Sequence, residues 1–273
     1  MKISIITTNY NTGKYIEDTI KSILNQKGNF ELEYIITDGG STDNSLEIIK
    51  KYDKEVKNDK WGSNVTYRYT SEKDKGQSNG INKGLKIAIG DIVAFLNADD
   101  IYTDRALVKV IRYFKDNPEC MWLTGYCRII DENDKQIKKY ITKYKNRKLR
   151  NFFFDQLLIE DCISQPATFW RRELLNEVGY IDESLHYSMD QDLWARFAKR
   201  YELHLIRDYL AEFRFTSDSK TGSSVKKTLE ESKLVAERYT DNKWLLRKQG
   251  ISNLKRIIVY KYVDKILRVF INR

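Results

Sequence analysis

The feature that most constrains this chain is the alternation, over its first hundred residues, of short β-branched runs with segments of helical period. Ile3 to Thr7, Leu32 to Thr37, Val65 to Tyr69 and Ile92 to Leu96 read as strands, with helices near 14–25, 43–54 and 78–88 between them. Crossovers of that length join parallel strands, whereas antiparallel neighbours need only hairpins, so the pattern specifies an α/β sheet flanked by helices. A further helix ends at Asn117-Pro118, where the residue before a proline is pushed out of helical geometry. Met121 to Ile130 then reads as a strand, followed by an extended run at Ala167 to Arg171, a helix near Asp190 to Arg200, and strands near Leu203 to Ile206 and Leu210 to Phe215. From about 224 to 273 the period is helical throughout.

Ligands in open α/β sheets bind beyond the carboxyl ends of the strands, and here those positions hold a consistent polar set. Thr8-Asn9-Tyr10-Asn11 follows the first strand, Asp38-Gly39-Gly40-Ser41-Thr42-Asp43 the second, and Asn97-Ala98-Asp99-Asp100 the fourth. Asp38 would face the crevice and could accept hydrogen bonds from a ribose or a base N–H, while Asp43 reads equally well as a helix cap. The pair Asp99-Asp100 suits a divalent cation bridged to a diphosphate, although Asp-Asp is also a frequent helix start.

Charge is distributed unevenly. The formal net charge is +9, yet residues 243–273 alone contribute +8 and residues 135–150 another +8, which leaves the remainder at −7. An acidic body thus carries a basic linker and a basic tail. Three cysteines without Cys-x-x-Cys spacing and only two histidines argue against a disulfide framework or a zinc site. The first residues pass straight into a strand, and no apolar stretch reaches the roughly 18 residues needed to cross a bilayer. The expectation is a cytoplasmic protein, peripheral on the inner face of the plasma membrane if its basic parts touch lipid. No recognised nucleic-acid motif accompanies the charge, so a nucleic-acid partner is not expected.

Seven segments together resemble a family-2 inverting glycosyltransferase of the GT-A fold: Ile6-Thr-Thr-Asn-Tyr-Asn11, Asp38-Gly-Gly-Ser-Thr-Asp43, Glu72-Lys-Asp-Lys-Gly-Gln77, Ile81-Asn-Lys-Gly84, Leu96-Asn-Ala-Asp-Asp100, Gln165-Pro-Ala-Thr-Phe-Trp170 and Met189-Asp-Gln-Asp-Leu-Trp194. They keep the family's order over about 1–215, implying a GT-A Rossmann-like mixed sheet there and a basic, helical C-terminal extension at 216–273. The resemblance implies a nucleotide-sugar donor, with Thr8, Tyr10, Asp38, Asp74, Asn82 and Asp99 as its contacts, and Mn²⁺ or Mg²⁺ held by Asp99 and Asp100. It implies a general base at Asp190 or, failing that, Asp192, and an acceptor pocket that takes in Gln165, Trp170, Trp194 and Arg196. Asn79, Asn97 and Thr216 stand where relatives often have Asp, Asp and His.

The reaction so implied is a metal-dependent, non-processive transfer from a UDP-sugar to a glycan or a polyprenyl-diphosphate-linked acceptor in surface-polysaccharide assembly. The Gln-x-x-Arg-Trp motif of processive relatives is absent from the sequence. A catalytically inactive sugar-nucleotide-binding partner of an assembly complex is the alternative. In the tail, Ile258, Tyr262, Ile266 and Val269 recur at helical spacing beside Lys261, Lys265 and Arg268. Such a helix docks on an anionic membrane surface, or packs on the catalytic domain or on a second subunit of a homo-oligomer; the sequence leaves these open.

Overall fold

A computed structural model describes residues 1–216 and 225–258, with side chains described through Arg256. Its centre is one mixed sheet. Strands β1 (Lys2–Asn9), β2 (Glu31–Asp38), β3 (Val65–Ser71) and β4 (Ile92–Phe95) run parallel in the order β3-β2-β1-β4. The sheet continues through β8 (Thr168–Arg171), β6 (Trp122–Ile130), β9 (His204–Arg214) and β5 (Ile101–Tyr102), with β7 (Gln136–Ile137) paired to β6. β8 is antiparallel to both β4 and β6, whereas β9 runs parallel to β6.

Side-chain parity sorts the strands' residues onto two cores, because successive residues of a strand point to opposite faces. Ile3, Ile5, Leu32, Tyr34, Ile36, Ile92 and Ala94 pack into one core with α1 (Ile16–Leu24), α2 (Ser45–Lys57) and α4 (Ala106–Asp116). Ile6, Ile35, Val93, Phe95, Trp122 and Trp170 pack into the other with α3 (Gln77–Ile87), α6 (Phe154–Ile159), α7 (Leu174–Val178) and α8 (Met189–Ala198). The crossovers β1–β2 and β2–β3 therefore cover one face and β3–β4 the other. The switch falls between β1 and β4, where the loops diverge and leave a crevice.

Two sequence expectations are revised. The residues 203–206 and 210–215, expected as two strands, belong to one strand, β9, because a register shift against Gly125, Tyr126 and Cys127 of β6 absorbs the irregularity. The basic segment 135–150, expected as a linker, is β7 followed by α5 (Lys139–Leu149), whose Thr142, Asn146 and Leu149 are buried. Beyond the gap, α9 (Val225–Tyr239) and α10 (Lys243–Ile258) place Val235, Ala236 and Leu245 in the same core as α6 and α8. The extension thus shares the body's core. The amphipathic stripe through Tyr262, Ile266 and Val269 lies outside the described residues.

Candidate active site

Beyond the carboxyl ends of β1 and β4 opens a cavity of about 1300 Å³. Thr8, Tyr10, Gly39, Gly40, Asp74, Gln77 and Asp99 line the part nearest the switch point. Tyr10, at 64% exposure, is a large ring left uncovered on the rim. Asp38 sits beneath this wall at 2% exposure. Its carboxylate accepts Asn9 Nδ2, the backbone N–H of Gly40 and Ser41, and the hydroxyls of Ser41 and Ser71, at 2.5–3.2 Å. Burial works to raise its pKa, but the donors from Ser41, Ser71 and Asn9 outweigh it and hold the group below the usual carboxylate range. Asp38 therefore shapes the glycine turn. Gly40 has φ +81°, a conformation that strains any residue with a Cβ. A Cβ on Gly39 would lie 2.9 Å from the Asp74 carboxylate, and one on Gly80 3.2 Å from it, so two glycines make the room that lets Asp74 reach the wall.

Asp99 follows β4 and is half-buried on the cavity surface, while its neighbour Asp100 is fully buried and turned away. Asp100 accepts the backbone N–H of Arg214 at 2.9 Å and Asn97 Nδ2 at 3.2 Å. Arg214, at 1% exposure, also donates Nε to the Asp99 carbonyl at 2.9 Å and packs 4.9 Å from the Tyr15 ring centre. Burial raises the pKa of both carboxyls, and the Asp99 charge adds to the rise at Asp100. Among the described residues no three His, Cys, Asp or Glu side chains converge as a metal cage. A divalent ion fits here only with one protein carboxylate, Asp99, and oxygens from a bound diphosphate, a donor set that suits Mg²⁺ or Mn²⁺. Asp100, expected as a second ligand, does not reach the cavity.

Further along, the wall comes from β6 and β9, α5, the loop before the turn at Gln165–Ala167, the start of α8, and α9 and α10. Asp190 and Asp161 both line it. Asp190 accepts the N–H of Gln191 at 2.9 Å and Asp161 that of Ile163 at 2.8 Å, which leaves each carboxylate with an oxygen for the cavity. Burial lifts Asp190 above the usual carboxylate range; burial and then the neighbouring Asp190 lift Asp161 to about 7. Glu231 of α9 accepts the backbone N–H groups of His186, Tyr187 and Ser188 at 2.6–3.1 Å and so fixes the approach to α8. Asp192 faces the other way. At 3% exposure it accepts Arg196 Nε, Arg238 Nη1 and the Tyr239 hydroxyl at 2.9–3.1 Å, tying α8 to α9.

The glycosyl transferase family 2 model matches residues 4–179, a span that carries β1 to β4, Asp38 and Asp99. The chain belongs to glycosyl transferase family 2. An uncharacterized glycosyltransferase of Methanocaldococcus jannaschii is 29% identical over 82% of this chain and 74% of its own length. The poly-beta-1,6-N-acetyl-D-glucosamine synthase of Staphylococcus epidermidis is 28% identical over 76% of this chain, which spans 46% of that protein. Among solved structures, S. aureus TarS 1–349 in complex with UDP-GlcNAc superposes with a TM-score of 0.66 at 20% identity, covering 94% of this chain and 73% of that one. The mannosyltransferase PcManGT of Pyrobaculum calidifontis, in complex with GDP-Man and Mn²⁺, gives 0.61 at 16% identity over 92% and 73%. The mixed sheet and its flanking helices are a GT-A fold.

Not every residue singled out in this glycosyltransferase reaches its cavity. Gln165 does, but its side chain is engaged below the surface, donating to the Phe95 carbonyl and accepting from Asn97. Trp170 and Trp194 have no exposed surface; they pack edge to face with centroids 5.5 Å apart, against Trp122 and Phe197, and cannot stack on a sugar. Arg196 spends its guanidinium on Asp192 and on the carbonyls of Val178 and Gly179. Asn82 is buried, bonded to both backbone groups of Ile181 and to Glu183. Asp161, Lys145 and Glu231 are the residues the motifs passed over. Asp161 and Glu231 carried no signal beyond chemical type, since neither falls in a strand-end cluster, whereas Lys145 belongs to the basic run 135–150.

Proposed function

We propose that this glycosyltransferase moves a sugar from a UDP-sugar to a hydroxyl of a glycan or lipid-linked acceptor in surface-polysaccharide assembly, with inversion at the anomeric carbon. The observation that carries the reading is that Asp99 and Asp190, brought by β4 and α8, face one cavity, while Asp192 is locked into an α8–α9 junction. The donor class is supported by the UDP-GlcNAc complex of TarS and the GDP-Man complex of the mannosyltransferase, and the product class by the name of the staphylococcal relative.

The Thr8–Tyr10 edge and the Gly39–Gly40 turn receive the nucleotide, with the Tyr10 ring offered to the base and Asp74 to a donor hydroxyl. A divalent cation held by Asp99 would supply positive charge to the diphosphate as it leaves. Asp190, its basicity raised by burial, accepts the proton of the acceptor hydroxyl as the new C–O bond forms and the bond to diphosphate breaks. Arg214 holds Asp99 and Asp100 from behind. One displacement needs no covalent sugar–enzyme intermediate.

The test is the configuration of the product by proton NMR, starting from α-linked UDP-GlcNAc with Mn²⁺ and an oligosaccharide acceptor. A β-linked product is expected, with turnover falling at least about tenfold in excess EDTA. An α-linked product, or turnover indifferent to EDTA, contradicts the reading.

A further inference from the structure

The two segments that hold the excess positive charge, far apart in sequence, meet at this cavity. Lys145 comes from α5, and Lys255 and Arg256 from the last turn of the described part of α10; all three line it. Among the described residues none of them forms an ion pair with a carboxylate, in contrast to Lys148 on the same α5, which lies 3.7 Å from Glu160. Lys145 Nζ has a long hydrogen bond, 3.4 Å, to the Ile163 carbonyl. The charges of Lys145 and Arg256 both act on Asp161, the neighbour of Asp190, which locates them at the Asp190 end of the cavity. Three cations collected around a partly enclosed space repel one another, the carboxyls of Asp161 and Asp190 on the same wall offset part of that repulsion without pairing with them, and an anion with several oxygens relieves the rest while satisfying the unused donors. Guanidinium and ammonium groups together match phosphate well.

We propose that Lys145, Lys255 and Arg256 form a phosphate-binding subsite for the acceptor, so that α10 completes the active site and the acceptor is a phosphate-bearing glycan. The proposal rests on the reading of Asp190 as the group that meets the acceptor hydroxyl. It gives the C-terminal extension a role in recognition at the site of chemistry. The phosphate could belong to a soluble sugar phosphate or to a lipid-linked diphosphate, and the two sources share the same contacts.

The experiment is isothermal titration of the full chain, saturated with UDP and Mn²⁺ so that the donor's own phosphate site is filled. N-acetylglucosamine 1-phosphate is compared with N-acetylglucosamine, and with farnesyl-diphosphate-linked N-acetylglucosamine as the lipid source. The phosphorylated sugar is expected to bind at least about tenfold tighter than the neutral one, and the lipid-linked one at least as well. In Lys145→Gln/Arg256→Gln that preference falls to within about twofold while UDP affinity holds, and in Lys255→Gln, at an exposed position chosen to preserve folding, it falls part of the way. Equal affinity for the phosphorylated and neutral sugars overturns the proposal, as does an unchanged preference in folded variants. Competition between the sugar phosphate and UDP reassigns the cations to the donor and overturns it too. Binding of the farnesyl compound alone means that an apolar tail, not phosphate, is recognised. A chain that takes up no UDP at all fails earlier and differently, removing the donor reading together with this one.

Discussion

Asp190 and Asp192 stand two residues apart in the first turn of α8, and a helix advances about 100° per residue, so their side chains leave the axis in nearly opposite directions. One faces the cavity and the other the α9 junction. The motif Met189-Asp-Gln-Asp could name both carboxylates but not choose between them, because the choice depends on which side α9 covers. The same limit applies to Trp170 and Trp194: an aromatic in a motif is a sugar platform or a core side chain according to what packs on it, and here three tryptophans pack together. Asp161 has a measurable signature at this scale. Its folded-state value of about 7, against 3.8 ordinarily, means that the folded chain holds an extra proton in that interval. Stability from this group is therefore full at pH below the ordinary value and is lost as pH rises through about 7. Calorimetry is expected to show a melting temperature that falls between about pH 4 and 7, and a smaller fall in Asp161→Asn. An equal fall in both proteins contradicts the assignment.

At the scale of elements, the strands and crossovers were legible because period-2 and period-3.6 patterns follow directly from which face is buried; β1 to β4 and α1 to α4 fall where the patterns put them, within a few residues. The basic segment 135–150 was not. Its lysines report a solvated ridge, while the few buried positions of α5 are too sparse to announce a helix over the charge. Nor could any pattern tell that α9 would hold the loop ahead of α8, since helical period identifies an apolar face but not its neighbour. We propose Glu231 as a positioning residue, because it accepts the N–H groups of the three residues His186, Tyr187 and Ser188 that lead into α8 and Asp190. Glu231→Ala is expected to lower kcat about tenfold with the donor KM within about twofold, since leaving such donors unpaired costs about 1–3 kcal/mol of local order. Glu231→Asp, which restores the acceptor, recovers part of the rate. A donor KM that rises in step with the loss of kcat would show that Glu231 supports folding generally.

For the whole molecule, the net charge of +9 describes neither half of the site. Carboxylates cluster where the parallel strands end, and the cations of α5 and α10 close over the same space, so the acidic body and basic appendages of the sequence form one cavity. That convergence depends on contacts between α10 and α6 and between α9 and α8, interactions across long stretches of chain that local composition cannot encode. The polar ends of β1, β2 and β4, by contrast, were readable from order alone, because a sheet of this topology gathers them at its switch point. In the mechanism we propose, Asp190 is the base working in that cavity opposite a donor held at Asp99. Steady-state turnover of Asp190→Asn, beside UDP affinity measured on the same protein, decides that role. A loss of about 10²–10⁴-fold in kcat with UDP affinity within about twofold is predicted; turnover close to that of the unaltered enzyme would contradict it.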